Sequence, residues 1–231
     1  MQQLLAAAIA FVGTHFLLSH PLRAPLVRVA GERGFLVIYS LVALLTLGWL
    51  AHAYRAAPAE PLWWGQGDLL WAVASIVMLL ASVLFIGSLL GNPAFPSGGA
   101  AMAVPGQARG VFAVTRHPMM WAFALWAGVH VAVYPIAANA MLAGAIAVLA
   151  LVGAALQDRK KARLEGERWR AWEARTSYLP FVAIAAGRAR FGGFRPHDLA
   201  GGVVLWLVAT WAHGPLAGWA AGVWRWLPAT A

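Results

Sequence analysis

Apolar residues along this chain fall into long runs separated by short polar links, and the runs have the length at which a helix crosses roughly 30 Å of hydrocarbon. Residues 4–19, 35–54, 69–90, 119–134, 138–156 and 199–219 form six such segments. The first is interrupted only by Thr14 and His15, and at 16 residues it is short for a span, which argues for continuation to Leu22 or support within a bundle. The third carries no charge over 22 residues and is the cleanest of the six. The pattern predicts an all-α integral membrane bundle of six transmembrane helices, a single transmembrane domain over residues 1–231.

The links carry their own signals. Residues 23–34 read as a short connection, and 55–68 as a polar stretch whose Trp63 and Trp64 suit the membrane interface. Residues 91–110, with three prolines and five glycines, read as a loop, one able to dip into the membrane. Pro135 marks a tight turn between the fourth and fifth segments, which then form a helical hairpin. Residues 158–175 change character, with seven basic and four acidic side chains and with Leu164, Trp169 and Trp172 at helical spacing. They predict a cytoplasmic helical extension of the fifth segment whose tryptophans turn toward the membrane surface. Residues 178–187 are apolar but too short to cross, so they belong in the interface or beneath the bundle. His213-Gly214-Pro215 is expected to interrupt the last segment, and Trp224 and Trp226 to anchor its far end.

Composition agrees with this frame: 61% of residues are hydrophobic, 11% are charged and the mean hydropathy is +0.70. The net charge of +9 reports topology rather than nucleic-acid binding once the basic residues are placed. Fifteen of the seventeen Lys and Arg fall in the links after the first, third and fifth segments. By the positive-inside rule those links are cytoplasmic and both termini are periplasmic. The first segment has no basic residue before it and Arg23, Arg28 and Arg33 after it, the reverse of a cleavable signal peptide, so it is retained. The absence of cysteine excludes disulfides, thiolate haem ligation, iron–sulfur clusters and cysteine zinc sites.

Candidate chemistry therefore rests on imidazole, carboxylate and guanidinium. Thr115 to His130 places Arg116 and His117 at the membrane entrance of a helix begun by Pro118, and His130 about 20 Å deeper. An imidazole at that depth needs a partner, a cavity or a metal. His15 stands about five residues from the cytoplasmic end of the first segment. Arg116 and His117 suit an acidic group of a lipid or cofactor, or serve as a topological anchor. Glu165 and Glu167 either hold a ligand or pair with nearby Lys and Arg.

The combination of His15 with Leu22-Arg23, Gly31-Glu32-Arg33, Arg116-His117-Pro118, the stretch from Trp126 to His130 and the tail from Ser177 to Phe181 resembles the NnrU family of bacterial membrane proteins, whose plant relative is 15-cis-zeta-carotene isomerase. The resemblance runs to about Phe194. It implies haem b between helices with His15 and His130 on the iron from opposite faces, and a link to nitrogen-oxide metabolism and denitrification. The function it implies is a haem-dependent isomerase or a haem-carrying factor for the respiratory reductases of that metabolism. Arg116, His117, Arg109 and Arg23 become the partners of the propionates. His52 and His213 compete with His15, because the rise per residue leaves His15 and His130 about 12 Å apart in depth. Ala127 stands where the isomerase has a cysteine, so thiolate ligand switching is absent here.

The Arg116-His117-Pro118 helix, the hairpin and the glutamate-containing segment also resemble membrane methyltransferases acting on phospholipids or isoprenylcysteine. That likeness implies S-adenosylmethionine at Arg116, His117, Glu165 and Glu167, although the tyrosine and glycine usual after the proline are replaced near Met120 and Phe123. Either reading places the chain in the bacterial inner membrane, with the lipid bilayer and a hydrophobic small molecule as partners and no nucleic acid.

Overall fold

The computed structural model describes residues 1–95 and 106–227, and the described residues are helical without a strand. In chain order they form α1 (Gln2–Ser19), α2 (Arg23–Arg55), α3 (Asp68–Gly87), α4 (Val111–Val114), α5 (Pro118–Val133), α6 (Ala137–Glu165), α7 (Glu167–Arg175), α8 (Val182–Ala185) and α9 (Pro196–Ala217). A 3-10 turn follows at Gly222–Arg225. Five of these helices, α1, α2, α3, α6 and α9, are long and apolar enough to cross a membrane. The expected fourth span, α5, is apolar but has 16 residues, about 24 Å of helix. Two compact units make up the chain: residues 1–65 with 130–153, and residues 66–129 with 154 onward.

In the first unit, Leu4, Ala7, Ala8 and Phe11 of α1 pack with Leu50 and Ala53 of α2 and with Ile136, Ala138 and Ala145. The many alanines let helix backbones approach closely, as membrane helices require when lipid offers no hydrophobic drive for association. Residues 60–64 hook onto the turn after α5. Trp63 N–H donates to the Pro135 carbonyl at 3.0 Å. Trp64 Nε1 donates to the Ala132 carbonyl at 2.9 Å, and Glu60 accepts the Ala137 N–H, an orphan donor at the start of α6, at 2.8 Å.

In the second unit α3 and α9 pack tightly at Gly201 and Gly202. A Cβ built on Gly202 would lie 2.6 Å from Val83 Cα. Asp198, fully buried, accepts the Arg195 N–H at 3.0 Å at the start of α9, and Arg195 Nη2 donates to the Gly87 carbonyl at 2.6 Å. Trp169 and Trp172 fill the core together with Val111, Phe112, Val114 and Leu84.

Four expectations change. Residues 23–34 are helical rather than a bare link, and α2 kinks at Gly31 (φ 70°), a backbone angle that glycine adopts without steric cost. The extension after the fifth segment breaks at Gly166 (φ 56°) instead of running on to Arg175. Its tryptophans do not turn to the membrane surface: Trp169 and Trp172 are 0% and 1% exposed, because α7 packs its aromatic face on α4, with Trp172 edge-on to Phe112 at 6.1 Å. Finally, α9 continues through Pro215 to Ala217 and stops at Gly218 in the left-handed region. Pro215 lies in the last turn, where the helix forfeits one hydrogen bond without breaking. Of the 91–110 loop, residues 96–105 lie outside the described residues, and Asn92 turns the chain after α3 by accepting the Ala94 N–H on its side chain.

Candidate functional site

The start of α5 is fixed by the segment that follows α7. Arg116 N–H donates to the Ser177 carbonyl at 2.9 Å and Phe181 N–H to the Val114 carbonyl at 2.8 Å. The Tyr178 carbonyl accepts from Thr115 Oγ1 at 2.7 Å and from Trp121 Nε1 at 2.8 Å. This frame aims Arg116 and His117 at one carboxylate. His117 Nε2 lies 2.7 Å from Asp158 Oδ1, while Arg116 reaches Oδ2 with Nε at 2.8 Å and Nη2 at 2.7 Å. Glu173 stands 3.7 Å from the same guanidinium.

His117 is 2% exposed and Asp158 is 8% exposed, so the carboxylate meets its two partners largely out of water. Asp158 lies on the polar end of α6, past the apolar stretch. Burial raises its affinity for a proton, but the hydrogen bonds from His117 and Arg116 and their charges outweigh that and hold the carboxyl below its ordinary value. Tyr178, edge-on to His117 at 5.9 Å, is shifted upward by burial and by the charge of Asp158, against the opposing pull of Arg116. Arg116 and His117 thus share a carboxylate of the chain itself. A shallow cavity of about 360 Å³ opens beside the cluster, lined by Arg116, Glu173, Ser177 and Tyr178.

His15 occupies a different setting, in the first unit. Its Nδ1 lies 2.6 Å from the Phe11 carbonyl one turn earlier, which fixes a proton there and leaves the lone pair on Nε2. Its ring meets Phe11 at 4.5 Å and Tyr39 at 5.5 Å, both edge to face. Tyr39 contacts Phe35 at 5.9 Å, and the Arg23 guanidinium lies 5.4 Å above the Phe35 ring. Among the residues expected around a cofactor, His15 and Arg23 therefore stand in one row, with Arg23 also paired to Glu32 at 2.8 Å.

His130 is not brought to His15. Asn139 Nδ2 donates to the His130 carbonyl at 2.7 Å, whereas Gly153 sits opposite Phe16, with a built Cβ 3.8 Å from the Phe16 ring. Fourteen residues of α6, about 21 Å, separate these two levels.

A scan of protein families places residues 3–221 in one described as NnrU protein. The chain belongs to the NnrU family. Comparison with curated proteins and with solved structures returns no match.

The NnrU match spans both units, so the Arg116–His117–Asp158 cluster and the His15 row both lie inside it. The remaining expected residues of this NnrU chain are scattered. His213 Nδ1 lies 2.8 Å from the Ala209 carbonyl in α9, and His52 is in the last turn of α2. Arg109 lines a cavity of the second unit. Glu165 pairs with Lys161 at 2.6 Å, and the exposed Glu167 pairs with Arg170 at 2.5 Å, so both act as partners of neighbouring cations and neither joins Arg116. Among the described residues no three His, Asp or Glu side chains group as metal ligands. Asp158 was missed by sequence reasoning. Its signal was a lone carboxylate directly after an apolar helix, where the four charges that follow hid it.

Proposed function

We propose that this NnrU-family protein crosses the bacterial inner membrane six times, with both termini periplasmic, and holds haem b on His15 as a carrier or assembly factor in nitrogen-oxide metabolism. The observation that carries the reading is the His15 imidazole: a polar group inside an apolar helix, its Nδ1 fixed by the Phe11 carbonyl and its Nε2 presented as a neutral nitrogen ligand. That donor chemistry fits haem iron. Arg23, at the end of the aromatic row that starts at His15, supplies the cation for a propionate. Bound haem supplies an iron that takes electrons or a small ligand. The chain supplies a dry, aromatic wall at Phe11, Tyr39 and Phe35 that excludes water from it.

The absorption spectrum of the purified protein tests this. We expect a haem spectrum that His15→Ala abolishes and His130→Ala leaves in place. A spectrum unchanged in His15→Ala, or lost only in His130→Ala, overturns the assignment.

A further inference from the structure

Five arginines converge on a second cavity, and one of them, Arg188, also borders the cavity beside the Arg116 cluster. Arg109, Arg175, Arg188, Arg190 and Arg195 line a half-open cavity of about 590 Å³ in the second unit. Among the described residues no carboxylate lines it, and the buried Asp198 pairs with Arg195. Topology alone requires basic residues in a link, and such residues are free to spread apart in water. Here like charges are held in one concavity, at a cost in mutual repulsion that an anion would relieve.

Two of the five are fixed in place. Arg188 Nη1 donates to the Glu173, Ala174 and Thr176 carbonyls at the end of α7, and Arg195 is held by Asp198 and the Gly87 carbonyl. Arg190 has no ion pair among the described residues, and Arg109 meets only Gln107 at 3.5 Å. Five glycines share the lining with the arginines. Gly187 (φ 68°) and Gly193 (φ 95°) adopt left-handed angles, and a Cβ on either would meet nothing within 4 Å. The Gly187 N–H is donated to the Ile184 carbonyl at 3.0 Å, so these glycines contribute open space beside the guanidinium groups.

We propose that this cavity binds a phosphate-bearing anion. Planar guanidinium groups grip phosphate oxygens in pairs, and five of them line this one cavity. The volume exceeds that of a single inorganic phosphate and suits a phosphate carrying an organic group or a second phosphate. Such a group comes either from an anionic lipid headgroup or from a soluble phosphate compound. The proposal is independent of haem.

The test uses the full chain in phosphatidylcholine nanodiscs, probed with short-chain phosphatidylglycerol in one arm and inorganic pyrophosphate in the other. Binding is read directly by native mass spectrometry and by the rise in unfolding temperature. In the wild type we expect at least one probe to bind, with the double variant Arg109→Gln/Arg190→Gln weakening it by about tenfold or more. Arg163→Gln, an exposed cation outside the cavity, should leave binding within about twofold, because removing a distant screened charge has little effect. Response to phosphatidylglycerol alone identifies a lipid headgroup, and response to pyrophosphate alone a soluble phosphate. If the double variant fails to fold, Arg190→Gln is read by itself. Absence of binding by both probes, or equal loss in Arg163→Gln and the cavity variants, overturns the proposal.

Discussion

His117 and Asp158, 41 residues apart in the chain, share a hydrogen bond of 2.7 Å at which the imidazole is almost completely buried. The bond ties the first turn of α5 to the polar end of α6. With Arg116 on the other carboxylate oxygen, one carboxylate serves both side chains.

Removing the carboxylate should therefore be costly. Asp158→Ala leaves a buried guanidinium without its main partner, and we expect a loss of about 3–5 kcal/mol in reversible unfolding from detergent micelles. A change below about 1 kcal/mol would mean the cluster contributes no more than a surface ion pair.

The same carboxylate sets a pH dependence. Its folded-state affinity for protons is below the unfolded value of about 3.9, so its stabilisation is present above that pH and is lost as pH falls through the lower folded value. The gap in unfolding temperature between wild type and Asp158→Asn should be constant from neutral pH down to about pH 5 and close in stronger acid. A gap that instead closes between about pH 6 and 8 would assign the effect to histidine.

Two glycine substitutions should part in sign. Gly202→Ala drives a methyl group into the Val83 backbone and should destabilise by about 1–3 kcal/mol. Gly144→Ala, in α6 with nothing within 4 Å of its Cβ, should be neutral or stabilise by up to about 1 kcal/mol. Thermal unfolding of both variants in one detergent gives the comparison.

Topology is open to reporter fusions. A cytoplasm-active reporter after Lys161 and a periplasm-active one at the C-terminus should each be active, and the reversed pair silent. Both positions reporting the same side would take α9 out of the membrane, whereas activity of the reversed pair, with the N-terminus periplasmic, would leave α5 short of it and reduce the count to five spans.

Hydropathy located the apolar helices α1, α3, α5, α6 and α9 and the apolar part of α2, because a chain in lipid must satisfy its peptide groups locally and a helix does so within one segment. The matching motifs, read together, were enough to reach the NnrU family. Local patterns did not reach the partners of the polar groups. Trp169 and Trp172 have the spacing of an interfacial helix, and only their packing on α4 buries them. Arg116 and His117 have the chemistry of a cofactor clamp, and only the fold delivers Asp158 to them. The separation of His15 from His130 depends on the register of α1 and α5 against α6, which no residue in either helix encodes by itself. Helix formation is decided within about one turn of each residue, whereas these pairings join residues tens of positions apart and exist only once the helices have packed.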